Sequence, residues 1–362
     1  MPNRPLTTRY EDDFSLLAGR WERIGLALLV LLLVAYPWVV NTNWVTVANL
    51  ALIAIVGSVS LMILTGFTGQ ISLGHAAFLA IGAYTTAVLG QRLGLPFWLA
   101  MPASGVMAAC VGLAIGPFAL RLEGLYLAIV TVGLTFLVNH VLLSLPDLTG
   151  GHVGLMVPAH AWFGEPGQTL TGFTETWQLG PLALNFERKL YLLFAVVAVI
   201  SVLAARNLAR SNTGRAMMAV RDHDVAASVM GVSPARTKII AFGISSFFAG
   251  IAGSMYGLQQ QFITVDPPFN LLLSVQYIAM IVLGGIGTVF GAVAGALAFV
   301  FLSPLLEIIG RHTPLLSELS SSQQSTLLFA LLVIATLTFE PLGLYGIWLR
   351  IKRYFLAWPF RY

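Results

Sequence analysis

Between Thr65 and Phe78 the chain places Thr65, Thr68, Gln70, Ser72 and His75 in a framework of Gly66, Gly69 and Gly74. These side chains are hydrogen-bond donors and acceptors without permanent charge. They can exchange bonds to water for bonds to a small zwitterion or amide, but they form no nucleophile–base pair. Long apolar runs flank the stretch. In hydrocarbon every backbone polar group needs a partner, so broken helix is tolerated only against protein or a water-filled cavity. Broken segments therefore favour transport paths, where free helix ends meet the solute. The competing reading is close helix packing, in which small residues let backbones approach. The density of polar groups favours the path for 65–78, with Thr65, Thr68, Gln70, Ser72, Gly74 and His75 as candidate path residues.

A second glycine-rich interruption runs from Gly284 to Gly291 inside the apolar region 271–309. It reads as a tight turn between two helices, with Gly284, Gly285, Gly287 and Gly291 as candidate path residues. For Gly287, Gly291 and Gly295 the spacing of four favours packing.

A third feature carries charge. Residues 206–238 hold six of the 19 Lys and Arg residues, namely Arg206, Arg210, Arg215, Arg221, Arg236 and Lys238, opposed only by Asp222 and Asp224. A basic loop beside membrane spans marks the cytoplasmic side. Ser211-Asn212-Thr213-Gly214 is a capping cluster, Arg215–Met230 has no Pro or Gly, and Gly231 can end a helix at positive φ. A short amphipathic helix over Arg215–Met230 is thus expected. It is a lever for a soluble partner, or a basic loop lying on anionic lipid.

The elements that must position these segments are membrane helices. Of the 362 residues 57% are hydrophobic and 9% charged, against about 25% charged in soluble domains, and the mean hydropathy is +0.85. Apolar runs of this length indicate helices rather than a barrel. The expected fold is an all-α integral membrane protein, a polytopic bundle of about ten spans (range eight to eleven) with Gly-broken segments. Residues 1–23 form a cytoplasmic segment, 24–349 the membrane domain and 350–362 a cytoplasmic tail. The 146–188 loop has no Lys or Arg before Arg188 and belongs outside. Ten spans put both termini inside with the island. The first apolar run lacks a small-residue cleavage site and reads as an uncleaved anchor.

Several classes are excluded. The single Cys110, expected to be buried in its apolar run, rules out a disulfide framework and a Cys-based metal site. His152 and His160 lie in the outer loop without a regular ligand spacing, so no metal is expected. No Gly-Lys-Ser/Thr occurs, which removes a P-loop, and the pI near 9.3 calls for no nucleic acid. Coupled carriers keep ionisable chains deep in the membrane, and here only His75 and His140 qualify. That leaves a self-sufficient secondary transporter or channel as the weaker reading.

The wording of these segments resembles the LivH/LivM family of ABC-importer permeases, which carry branched-chain amino acids and related compounds. The matching residues are Gly69–Phe78 with Gly82-Ala83-Tyr84, then Gly284–Thr288 and Gly291–Ala296. In the island they are Gly214-Arg215-Ala216, Ala219-Val220-Arg221-Asp222, Ala226-Ala227 and Gly231, followed by Lys238–Phe242 and Ala249–Gly253. Gly124–Thr131 and Thr149–Leu155 are similar to the LivM branch. Where the wider importer motif has Glu before the paired alanines, this chain has Val225. The resemblance implies a multi-pass protein of the bacterial inner membrane that hydrolyses nothing itself. Its implied partners are a second homologous permease, two ABC ATPases that bind the ATP and Mg, a periplasmic solute-binding protein and membrane lipid. It also implies that Gly214, Arg215, Arg221, Asp222, Ala226, Ala227 and Gly231 couple to the ATPases. The solute is left open between branched-chain or related amino acids and urea, amides or aromatic acids.

Overall fold

The computed structural model describes residues 20–119, 124–160, 182–312 and 342–357, with parts of 162–179 and of 327–340. Helices dominate. In chain order they are α1 (Arg20–Val39), α2 (Thr42–Leu61), α3 (His75–Leu93), α4 (Phe97–Ala119), α5 (Leu125–Ser144), α6 (Pro146–Thr149) and α7 (Phe186–Arg210). There follow α8 (Asn212–Asp222), α9 (Asp224–Val229), α10 (Pro234–Gln260), α11 (Leu271–Gly284), α12 (Val289–His312) and α13 (Gly343–Ala357). Four strands of two or three residues sit in the connections. They are β1 (Leu155–Met156) paired with β4 (Phe262–Ile263), and β2 (Trp177–Leu179) paired with β3 (Leu182–Leu184), both antiparallel. The ribbons give backbone partners to loop segments that no helix could satisfy.

Five helical segments among the described residues are long and apolar enough to cross a membrane: Thr42–Phe67, Phe97–Phe118, Tyr126–Ser144, Phe186–Arg210 and Pro234–Gln260. The pair α11 and α12, bent by 118° at its break, makes a sixth if counted as one span. With its 14 residues α11 reaches about 21 Å, short of the ~30 Å hydrocarbon core. The molecule is an all-α, multi-pass membrane protein, and five to six spans are what length and apolarity establish here. Of the expected terminal segments, residues 1–19 and 358–362 lie outside the described residues, as does much of the 161–181 stretch of the outer loop.

Helix α2 is the axis of the bundle. A π-turn, Met62–Phe67, prolongs it to 26 residues, and 89% of its apolar window is buried inside the chain, against 22% for α7 and 28% for α5. Helices α7, α10 and α12 pack around it. Helices α7 and α10 supply partners for polar groups of α2. Ser60 Oγ donates to the Ser245 carbonyl (2.7 Å) while Ser245 Oγ donates back to Ser60 O (2.9 Å).

The opposite pattern joins α3 to α10. A Cβ at Gly82 would fall on the Gly250 carbonyl, and one at Gly253 on the Leu79 carbonyl. Backbone lies against backbone there, as in other small-residue helix contacts. Thr86 Oγ1 and Ser254 Oγ hydrogen-bond (2.7 Å) at the same seam. The α11–α12 turn closes in the same way, with Gly284 against the Gly291 carbonyl and Gly295 against the Met280 carbonyl.

Candidate functional site: the island and the two glycine breaks

The basic island folds as two short helices rather than one. Ser211 caps α8, its Oγ accepting from Gly214 N (3.1 Å). Gly214 itself fits against the Leu208 carbonyl, where any side chain would collide. Met217 and Val220 turn inward and are buried, while Arg215 stays exposed, bonded to Asn212. The helix then breaks at His223, whose backbone is extended (φ −160, ψ 103). The single helix expected over Arg215–Met230 is therefore corrected. Asp224 takes up the N–H of Val225 at 2.8 Å, starting α9 afresh. After α9, Gly231 has φ +85, and its neighbour Val232 donates to the Ala227 carbonyl, the 6→1 closure of a helix end.

The short α9 presents two unlike faces. Ala227 is buried, whereas Ala226 is exposed, and Val225, Val229 and Met230 are 72%, 82% and 83% exposed. Three large apolar side chains thus stand clear of the chain on the segment expected to meet a partner.

Arg221, at the end of α8, points the other way. Its Nη1 donates to the carbonyl of Gly66 at 2.8 Å, 155 residues earlier. Asp222 holds the other edge of the guanidinium, with Oδ1 2.9 Å from both Nε and Nη2. Gly66 lies in the π-turn that ends the α2 segment. The N–H groups of Thr68 and Gly69 satisfy Leu64 and Thr65. Arg221 is the donor for the Gly66 carbonyl, at the negative end of the helix. The second glycine break meets the first at the same point. A Cβ at Gly66 would stand 2.8 Å from Gly287 N, and one at Gly287 (φ +84) 3.1 Å from Arg221 Nη1.

A cleft of about 270 Å³ opens beside this junction. It is lined by Thr68, Gly69 and Gln70 from the first break, Leu127 from α5, and Arg221, Asp222, His223, Asp224 and Lys238 from the island. Side chains of both charges and neutral amide and hydroxyl groups therefore surround one small volume.

The other candidate path residues are placed differently. Thr65 Oγ1 donates to the Gln70 carbonyl (3.0 Å), Thr68 Oγ1 to the Leu64 carbonyl (2.5 Å), and Ser72 Oγ accepts from Gly74 N (3.3 Å). These polar groups satisfy the backbone of the break itself. His75 is buried with its ring edge-on to Tyr277 (centroids 4.9 Å apart), and its Nε2 has no hydrogen-bond partner in the structure. Gly74 caps α3 against Thr131. Gly285, at φ +117, sits under Leu342 and Tyr345, and Gly291 abuts the Gly284 and Gly285 carbonyls. Gly284, Gly285 and Gly291 are thus in close backbone contacts, and Gly287 alone of that set reaches the Arg221 junction.

Other residues also depart from expectation. Cys110 is exposed on the outward face of α4 rather than buried. His140 is exposed and reaches only Ser144 of its own helix (3.5 Å). His160 is buried and His152 exposed, and no group of three or more metal-binding side chains occurs among the described residues. A site missed in the sequence lies at the far end of the bundle from the island. There Glu187 Oε2 accepts from Asn49 Nδ2 (3.0 Å) and Gln259 Nε2 (2.9 Å), tying α2, α7 and α10 together. Those partners lie 138 and 72 residues away, so no local pattern could have announced them.

A helical bundle with glycine-broken elements converging on a basic loop defines a multi-pass membrane transport component. Residues 43–337 match the family model described as the permease component of branched-chain amino acid transport systems, and the chain belongs to that family. It is 35% identical over 303 residues to the high-affinity branched-chain amino acid transport permease LivM of Escherichia coli K12, covering 82% of this chain and 71% of that protein. It is 27% identical over 299 residues to LivH of the same organism, covering 78% and 87%. To the permease BraD of Pseudomonas aeruginosa it is 25% identical over 310 residues, covering 80% and 92%. No solved structure matches the chain.

Proposed function

We propose that this chain is the LivM-type half of a bacterial inner-membrane ABC importer for branched-chain or related amino acids. In this reading it pairs with a second, homologous permease, receives solute from a periplasmic binding protein, and is driven by two ATPases that bind ATP and Mg. It crosses the membrane about ten times, with both termini and the basic island in the cytoplasm. The arrangement of ends supports that topology. The island, the 65–74 break, the Gly284–Gly291 turn and the start of α13 meet at one end. The β1–β4 ribbon and the Glu187 node share the other.

The observation that carries the reading is the two-faced α9 next to Arg221. Exposed Val225, Val229 and Met230 offer an apolar plug for a groove on an ATPase, starting four residues beyond the Arg221 contact with the broken segments. The cleft's lining of both charges suits a zwitterion better than neutral urea, which favours amino acids within the solute class. The test is reconstitution of the chain with the four partners. ATP-dependent uptake of radiolabelled leucine that requires the binding protein is expected. Uptake that persists without ATPases would favour a self-sufficient carrier instead.

A further inference from the structure

We infer that Arg221 is a latch: its guanidinium holds the two glycine breaks together at the island end, and its withdrawal opens the cleft beside Thr68–Gln70. The inference rests on the reading of the chain as an ATPase-driven permease and names the residue that would convert loop movement into opening.

Four observations converge on it. Arg221 Nη1 reaches the Gly66 carbonyl at 2.8 Å and stands 3.1 Å from where a Cβ of Gly287 would be, so one group touches both breaks. Its Cγ comes within 3.1 Å of a Cβ built on Gly69, so the aliphatic stem covers the turn that precedes Gln70. Asp222 fixes the remaining edge of the guanidinium, which sets the direction of Nη1. Helix α8 is held as a unit by the buried Met217 and Val220 and by the Ser211 cap.

The mechanics follow from the break at His223. Because that residue is extended, α9 is joined to α8 by a corner rather than a continuous rod. Displacement of α9 is delivered two residues from Arg221. Arg221 bridges the island to both glycine turns. A hydrogen bond to one carbonyl oxygen can be broken without unfolding a helix, because the carbonyl at a helix end can turn to water. The two turns also meet directly, Gly66 against the Gly287 backbone, so what the guanidinium's departure frees is the Gly66 carbonyl and the cover over Gly69 beside the cleft. Arg221 is thus a positioning residue, acting on the path through backbone rather than touching solute by necessity.

The test uses the full complex in inside-out vesicles. Cys110→Ala removes the exposed native thiol, and Leu127→Cys places a reporter at a cleft-lining position that is 2% exposed. Labelling by a membrane-impermeant maleimide, per assembled complex, reads how open the cleft is. With Arg221 present, labelling is slow without nucleotide and speeds up during ATP turnover. In Arg221→Ala it is at least tenfold faster without nucleotide and no longer responds to ATP, and leucine uptake, read in right-side-out vesicles supplied with internal ATP, falls at least tenfold. Arg221→Lys keeps the charge but cannot serve Gly66 and Asp222 together, and it labels at an intermediate rate. Should the alanine variant fail to assemble, Arg221→Lys and Asp222→Asn supply the same comparison. Native labelling rates in the variants that assemble would overturn the latch, whether uptake is intact or reduced. A native complex with no ATP-dependent uptake would instead overturn the permease reading itself.

Discussion

A Cβ added to Gly74 would stand 2.6 Å from the carbonyl oxygen of Thr131, closer than real Cβ contacts come. The neighbouring Leu73 N donates to Thr131 Oγ1 at 2.9 Å, so the break is pinned to α5 on both sides of the peptide. Gly74→Leu is therefore expected to cut the amount of assembled complex about tenfold or more, with uptake falling in proportion. Ser72→Ala removes one acceptor, a change of about 0.5–1.5 kcal/mol, and leaves partial uptake. Quantifying membrane-inserted protein and leucine uptake on the same vesicles checks both. A well-assembled Gly74→Leu complex that cannot transport would return Gly74 to the solute path.

On α9 the two faces give a positional contrast. In a Cys110→Ala background, Val229→Cys and Met230→Cys should cross-link to the ATPase subunit, and Ala227→Cys should not, because Ala227 is 5% exposed within its own chain. Gel-shift analysis after mild oxidation with single-cysteine ATPase variants reads this directly. Free labelling of positions 229 and 230 in the assembled complex, with no cross-link, would mean that no ATPase groove covers this face.

Gly231 has φ +85 and open space around its Cβ position, so substitution there costs conformation and not packing. A left-handed residue costs roughly 1–2 kcal/mol for most side chains and most for β-branched ones. Gly231→Val should lower ATP hydrolysis stimulated by the solute-loaded binding protein several-fold. Gly231→Asn, which tolerates that backbone, should lose little. Equal activity of the two would mean the closure of α9 at Gly231 is irrelevant to coupling.

The Glu187 node makes a stability prediction. Glu187→Ala would leave the Gln259 amide without this acceptor, at about 1–3 kcal/mol for a buried group, and Asn49 with the Glu187 backbone carbonyl alone. A fall of several degrees in the apparent melting temperature in detergent is expected, read by fluorescence-detected size exclusion. Glu187→Gln should stay closer to the native value, because its carbonyl oxygen can accept from both amides as Oε2 does here. An unchanged melting temperature would show that water replaces the carboxylate there.

Much of this architecture was legible in the sequence, and the remainder has definable reasons. The island's limits were marked by charge, the start of its helical part by Ser211 and the end by Gly231, and these two residues each meet a local backbone requirement. The break at His223 was not, because no Pro or Gly signals it. Only the Asp222-His223-Asp224 run, poor in helix formers, hinted at it. The polar residues of 65–78 were visible as donors and acceptors, but composition cannot say whether the partner is a solute or the backbone two to five residues away. Arg221 read as a surface charge for a partner protein. Its bond to Gly66 depends on how two segments 155 residues apart meet, which no periodicity encodes.

The burial of α2 on every side has a consequence for how the protein is made. Its neighbours α7, α10 and α12 are all synthesised after it. Asn49 and Glu187 are 138 residues apart, which at about 5–20 residues per second is a wait of roughly 7–28 s. During that interval the helix must rest in lipid with Asn49, Ser58 and Ser60 facing whatever surrounds them. Its high mean hydropathy of 2.4, spread around the whole circumference, suits that exposed infancy as much as the finished core. A polar substitution on α2 that the finished bundle could accommodate would therefore still harm the chain, by expelling the helix from the membrane before its neighbours exist.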